Sequence, residues 1–260
     1  MSQNRSSAVM QQRSEPHNSL DDFPTPPWAT RALCETLCGG VNLFGDGDPL
    51  QRFTVREPAA NRGHMVWPLA EYFGTVEASD IYDYGAEFPA LDYLFGPPPS
   101  QVDWTITNPP FRLAEQFIGR ALETSRHGVA MIVRSAFLEG VARHDRLFSV
   151  TPPTNVLQFS ERVVMHKGRL SAKGSTATSY CWLVWDRRRI SSISGRAVRY
   201  PKQETLAEMY SAWPLLRDVL GVRFECPRLQ WIAPCRKRLE RADDYPAEPV
   251  LKKGNFDGLV

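Results

Sequence analysis

The sequence has no apolar run approaching the roughly 20 residues that cross a bilayer, so no membrane partner is expected. It has no excess of charge. Thirty-one Lys and Arg against 29 Asp and Glu leave a net +2, and nucleic-acid affinity needs a clustered basic surface rather than a slightly positive sum. Cysteine is sparse and odd in number: Cys34, Cys38, Cys181, Cys226 and Cys235 include no Cys-x-x-Cys pair, which points to free thiols in a cytoplasmic protein. Cys34 and Cys38 stand four apart on an expected helix, yet a tetrahedral site needs two further ligands, so no metal is expected. Met1 to Pro16 lacks both an apolar stretch and a small-residue cleavage pattern, which argues against a secretory signal. Residues 1–19 read as a disordered arm. What is present, 42% hydrophobic and 23% charged residues in 29.4 kDa, suits one soluble α/β domain with decorations or a small appendage.

The punctuation supports that class. Phe23-Pro24-Thr25-Pro26-Pro27-Trp28 opens a helix predicted over Ala29 to Cys38, and a Gly/Asp-rich turn at Gly45 to Asp48 follows. Phe53 to Glu57 is an apolar, β-branched run stopped by Pro58 and reads as the first core strand. Met65 to Tyr72 then reads as a helix, Gly74 to Asp80 as a short strand, and a loop rich in Asp, Tyr and Pro follows. Trp104 to Thr107 is read as the fourth strand, Leu113 to Ser125 as an amphipathic helix, and Val129 to Val133 as the fifth strand. Asn155 to Phe159 and Thr178 to Trp185 are expected to finish the sheet as a hairpin around a basic, glycine-containing loop, Lys167 to Ser175. Alternation of strands and helices implies a mostly parallel sheet covered on both faces, with ligands at the carboxyl ends of its strands. The catalytic unit is expected over residues 20–186, and residues 187–260 as a small basic extension with a helix from Glu204 to Leu220 and a cluster at Arg236, Lys237, Arg238 and Arg241.

Three constellations carry chemistry. Glu57-Pro58-Ala59-Ala60-Asn61-Arg62-Gly63 joins a strand to a helix with small residues, so its backbone amides can approach a cofactor; tight packing alone is the plainer reading. Asp80 ends the next strand, where a carboxylate commonly grips a ribose hydroxyl, or simply caps a helix. Asn108-Pro109-Pro110-Phe111 suits a poor nucleophile. An amino nitrogen conjugated to a ring attacks better when acceptors draw its hydrogens out of plane, and Asn108 Oδ1 with the Pro109 carbonyl are such acceptors. Two prolines hold them before substrate arrives, and Phe111 can stack on an extruded base. Third, Arg162, His166, Lys167, Arg169 and Lys173 make a basic loop suited to phosphate contacts, or a solvated one. Arg134 and Glu139, after the fifth strand, are placed at the same mouth.

These residues resemble the class I methyltransferases dependent on S-adenosylmethionine, and within them the N6-adenine DNA methyltransferases, phage and prophage enzymes in particular. The resemblance covers roughly Phe23 to Asp186 and implies a Rossmann-like seven-stranded sheet, mostly parallel with an antiparallel C-terminal hairpin strand. It implies that Thr25, Pro26 and Trp28 pack on the methionine end of the cofactor. Glu57, Pro58, Ala59, Asn61 and Gly63 resemble the cofactor loop, Asp80 with Ile81 the ribose-binding pair, and Asp92-Tyr93-Leu94 the motif that meets the cofactor adenine. Asn108 to Phe111 resembles the catalytic motif, with Asn108 also touching the cofactor. Arg134, Lys167, Arg169, Lys173 and Ser175 are carried over as nucleic-acid contacts. One departure stands out: the family usually has glycine where this chain has Asn61. Asparagine enters the left-handed region more readily than other non-glycine residues, so Asn61→Gly is expected to bind S-adenosylmethionine as well or better.

Asn-Pro-Pro followed by an aromatic also occurs in methyltransferases of protein glutamine amides, and RNA adenine needs little energy to splay out. DNA is the expected substrate, with RNA and protein as alternatives. A catalytically silent nucleic-acid-binding module is a further alternative, against which the intact Asn108 argues. The tail is short for a large recognition domain, so specificity is expected to be relaxed, built from the basic loop and the Arg236 to Arg241 cluster, or supplied by a partner or homodimer.

Overall fold

The computed structural model describes residues 21–38, 50–187 and 228–245. The expected arm, the Gly45 to Asp48 turn, Cys226 and the helix over Glu204 to Leu220 lie outside the described residues. The sheet has seven strands: β1 Thr54–Glu57, β2 Thr75–Ala78, β3 Val102–Thr107, β4 Ser125–Arg134, β5 Asn155–Phe159, β6 Tyr180–Asp186 and β7 Arg228–Ile232. Their spatial order is β2-β1-β3-β4-β6-β5-β7. All neighbouring pairs are parallel except β4/β6 and β5/β6, so β6 is the one antiparallel strand of this sheet. The α/β class with a mostly parallel sheet and an antiparallel hairpin strand is what forms. Among the described residues no helix is long and apolar enough to cross a membrane.

The central strands read as continuous apolar runs because both faces are covered. In β4 alternate residues part company: Ala130 and Ile132 enter the core beneath α1 (Pro27–Leu37), while Val129, Met131 and Val133 enter the core beneath α3 (Ala114–Thr124). β6 divides likewise, with Trp182 and Val184 on the first face and Cys181, Leu183 and Trp185 on the second. Pro27 begins α1, where a missing amide hydrogen costs nothing. The helix after β1, α2, is only Val66–Ala70, shorter than the predicted Met65 to Tyr72.

Two expectations need correction. The segment between β2 and β3 is the loop expected of it, with Asp80 and Ala90 in an isolated bridge and Pro89 and Pro97 to Pro99 removing ladder donors, so only two strands, not three, precede Trp104 to Thr107. The Asn-Pro-Pro-Phe loop therefore follows the third strand in chain order, and Val129 to Val133 belongs to the fourth. Nor does the sheet end at Asp186. Strand β6 inserts between β4 and β5, and β7, from the segment beyond, pairs in parallel with β5. Polar residues in residues 228–232 hid an edge strand whose demand for apolar faces is slight.

The segment 228–245 is also clamped to α1 by charge. Arg31, 4% exposed, donates from Nη1 to the Leu239 carbonyl and to Asp244, each at 2.8 Å, and pairs with Glu71 at 2.9 Å. Arg238 and Arg241 pair with Glu35 and Glu71, both at 2.7 Å. Removing one partner of a buried pair strands the other, at a cost of about 3–5 kcal/mol. Arg31→Met is expected to lose that much in urea unfolding and to expose the 228–245 segment to limited proteolysis, whereas Arg238→Met, on the exposed rim, loses under about 1 kcal/mol.

Candidate functional site

The carboxyl ends of β1, β3 and β4 and the amino end of β6 share one edge of the sheet. Glu57 closes β1 and is fully buried. Its Oε1 accepts from the Ala59 amide at 3.0 Å and from the Thr107 hydroxyl at the end of β3, while its Oε2 is buried with no partner. Loss of hydration pushes its carboxyl up from 4.5 to about 8, against the downward pull of those two donors. Thr107 in turn precedes Asn108, so one carboxylate holds the loop after β1 and the loop after β3 in register.

Asn108 is oriented by the other side of the site. Its Nδ2 donates to the Phe23 carbonyl at 2.8 Å, and its Oδ1 is buried without a partner. The amide is thus spent as a donor and kept as an acceptor. Pro110 precedes a single turn, Phe111–Leu113, with Leu113 N donating to the Pro110 carbonyl at 2.9 Å. The Phe111 amide donates to Asp21 Oδ2 at 2.5 Å. The Phe111 ring lies 5.4 Å from Phe23 and 6.3 Å from Tyr180, and the Arg134 guanidinium sits over it at 4.1 Å. Burial raises the Tyr180 hydroxyl above its ordinary value, against the pull of the nearby Arg134. An aromatic cage with one cationic wall results.

In the loop after β1, Asn61 has φ +50° and Gly63 φ +86°. Asparagine takes the left-handed conformation expected for it, but it also does something the sequence did not signal. Its Nδ2 donates to Asp22 Oδ1 at 2.6 Å, and its Oδ1 accepts from Arg62 N and Nη1 at 2.7 and 3.0 Å. Asp80 receives the Asn61 amide at 2.9 Å and the Tyr82 amide at 3.0 Å, one on each oxygen, and each oxygen keeps a second lone pair for a hydroxyl. Burial raises the Asp80 carboxyl above its ordinary value, against those amide donors. Ile81 beside it is 64% exposed, as an apolar platform for a ring would be. Thr25 is buried, and its Oγ1 has no partner.

Asn108, Phe111, Glu57, Ala59, Asn61 and Asp80 are therefore joined through short contacts that run by way of Thr107 and the segment Asp21 to Phe23, with Pro58, Pro109 and Pro110 as their rigid neighbours, while Thr25, Pro26 and Gly63 adjoin them in the chain. Trp28 is not part of this set: its indole packs edge-on against Phe159 in the core. Tyr93 likewise gives its ring to Phe117 and its hydroxyl to Thr124, and Asp92 Oδ1 accepts the Leu94 and Phe95 amides of its own turn. Trp28 and Tyr93, carried over as cofactor contacts from the likeness of motifs, give their rings to core partners. Lys167, Arg169, Lys173 and Ser175 are exposed, on a loop tied to the site where Gly168 N donates to the Asp22 carbonyl at 2.8 Å. Of the Arg236 to Arg241 cluster, Arg236, Arg238 and Arg241 face carboxylates of this chain, so it clamps the fold instead of presenting free cations. Sequence reasoning missed Asp21, Asp22 and Thr107; two acids just before the proline-rich opening were the available signal.

No protein-family model matches the sequence, and no curated protein does. Among solved structures the chain is similar to a Pyrococcus horikoshii protein described as an RNA methyltransferase, at 16% identity and TM-score 0.47 over 69% of this chain and 96% of that one. It is also similar to a Listeria monocytogenes protein described as a class I S-adenosylmethionine-dependent methyltransferase, at 12% identity and TM-score 0.46 over 82% and 74%. A type I restriction-modification methyltransferase subunit from Streptococcus thermophilus matches at 11% and TM-score 0.46, over 74% of this chain and 52% of its own.

Two predictions come from this geometry. Between about 4.5 and 8 native Glu57 keeps its proton while the unfolded chain releases it, so its contribution to stability is full below 4.5 and is lost as pH rises through 8. Thermal unfolding of the protein without ligand should therefore show Glu57→Gln gaining on the parent as pH rises across that window; parallel curves would refute the assignment. For Asn61, conformation alone favoured glycine, but the bridge to Asp22 and Arg62 now counts against it. Calorimetric titration with S-adenosylmethionine should find Asn61→Gly weaker than the parent and Asn61→Ala, which adds left-handed strain, weaker still.

Proposed function

We propose that the chain transfers a methyl group from S-adenosylmethionine to the exocyclic N6 amino group of adenine in DNA. The observation that carries the reading is the Asn108 amide, whose donor is spent on the Phe23 carbonyl and whose buried acceptor has no partner. The cofactor fits the residues present. Thr25 Oγ1 and Glu57 Oε2 are buried polar atoms without partners, suited to the amino-acid end, and Asp80 with Ile81 suits a ribose and its base. When bound, S-adenosylmethionine supplies an electrophilic methyl group.

The remaining work falls to the chain. Asn108 Oδ1 and the Pro109 carbonyl accept the two hydrogens of the amino group, turning its lone pair away from the ring and toward the methyl donor. The proton lost on methylation passes to water, since neither acceptor is basic. Because both acceptors are fixed beforehand, no reorganisation is required in the transition state. A base stacking on Phe111 exchanges with Arg134, whose guanidinium is then free for a phosphate. Lys167, Arg169 and Lys173 lie on the loop docked at Asp22, beside the site, and this favours a polyanionic substrate over a protein amide. DNA rather than RNA rests on the likeness of motifs.

Labelled S-adenosylmethionine offered in parallel to unmethylated DNA, RNA and a protein extract tests the reading. Label should enter DNA, and Asn108→Ala should cut turnover by about 10²–10³-fold with cofactor affinity unchanged. Label confined to protein would end the nucleic-acid reading, and loss of cofactor binding in Asn108→Ala would end the role given to Asn108.

A further inference from the structure

Asp22 lies where three loops meet. Its carboxylate, 8% exposed, accepts from Asn61 Nδ2 at 2.6 Å and from Arg62 Nη1 at 3.1 and 3.0 Å on its two oxygens. Its backbone carbonyl accepts from Gly168 N at 2.8 Å. Gly168 has φ +77°, a conformation that glycine adopts cheaply and other residues do not. The Asn61 amide continues the chain to Asp80 at 2.9 Å. Hydrogen bonds thus run without interruption from Asp80, through Asn61 and Asp22, to the basic loop at Gly168. The residues on either side of Asp22 hold the catalytic loop: Asp21 takes the Phe111 amide and the Phe23 carbonyl takes the Asn108 amide.

We propose that Asp22 is a positioning residue that couples cofactor binding to the docking of nucleic acid on the loop 166–175; this rests on the reading of the site as a nucleic-acid methyltransferase. A ligand held by Asp80 and the loop at Asn61 orders Asn61, and with it Asp22 and the attachment point of the basic loop. A polyanion bound to that loop orders the same links from the other end. Whichever ligand comes second then finds part of the ordering already done, so the two bind cooperatively, and the coupling is equal in both directions. Two features favour a carboxylate here. It accepts from Asn61 and Arg62 at once, and its charge strengthens the bond to the guanidinium, which also lies over the Tyr84 ring at 4.9 Å. A residue that merely propped up the chain near α1 would affect stability without affecting the coupling.

The test is calorimetric titration of S-adenosylhomocysteine into the full chain, alone and with a saturating short, mixed-sequence, unmethylated DNA duplex. For the parent protein the duplex should tighten the cofactor analogue by roughly 5- to 20-fold, and in Asp22→Ala the effect should fall below about 2-fold. Asp22→Asn, which keeps one acceptor oxygen, should restore part of it. If Asp22→Ala does not fold, Asn61→Gly removes the Nδ2 donor to Asp22 without left-handed strain and should show the same loss of coupling, read as the ratio of affinities with and without the duplex. No effect of the duplex on the parent protein, or full coupling retained in Asp22→Ala or Asn61→Gly, overturns the proposal. The underlying reading fails separately: it falls if the parent protein transfers no methyl group to any nucleic acid, whereas normal transfer with coupling intact in the variants removes only the role of Asp22.

Discussion

A carboxyl group buried between the ends of two neighbouring strands sets the frame of this site. Glu57 is answered by a hydroxyl and an amide, not by a cation, and burying such a group is costly unless the fold repays it. The cost is met because β1 and β3 pair in parallel, Val55 opposite Trp104 and Arg56 opposite Thr105, which brings Thr107 to Glu57 at the same edge. The loop with the left-handed Asn61 and the loop with Asn108 then leave the sheet side by side. Neither loop is long enough to find the other unaided.

Across that edge lies the segment Asp21 to Thr25, ahead of α1. It sets the direction of the Asn108 amide through a backbone carbonyl, caps the turn at Phe111 with a carboxylate, and anchors the basic loop. The geometry of the Asn108 to Phe111 loop is therefore not self-contained. An asparagine between a strand and two prolines could aim either end of its amide outward; the Phe23 carbonyl selects the oxygen. The same segment stands against β6 through the rings of Phe23, Phe111 and Tyr180, so the antiparallel strand contributes the wall of the cage.

Much of the fold was legible because period and punctuation agree with burial. Asn155 to Phe159 was read with the bounds it has, and Phe53 to Glu57 and Trp104 to Thr107 within a residue or two, since each is an apolar run closed by a turn or proline. Strand β7 was not legible, because an edge strand needs no repeating apolar face, and the loop after Asp80 was read without its bridge. Trp28 and Tyr93, placed at the cofactor by likeness of motifs, have ring partners in the core, because a large apolar residue beside such a loop serves a core as well as a ligand.

By itself the sequence determined the alternation of strands and helices, the placing of the Glu57 to Gly63 and Asn108 to Phe111 loops after strands, and the residue types suited to nitrogen chemistry, because these depend on local periodicity, proline and side-chain identity. Tertiary structure alone decided which atom of Asn108 is left as acceptor, that Asn61 is tethered as well as left-handed, that the Arg134 guanidinium lies over Phe111, and that Arg236, Arg238 and Arg241 are already paired. Except for the conformation of Asn61 and the Arg236–Glu240 pair, these are contacts between residues far apart in sequence, and no local pattern encodes such a contact.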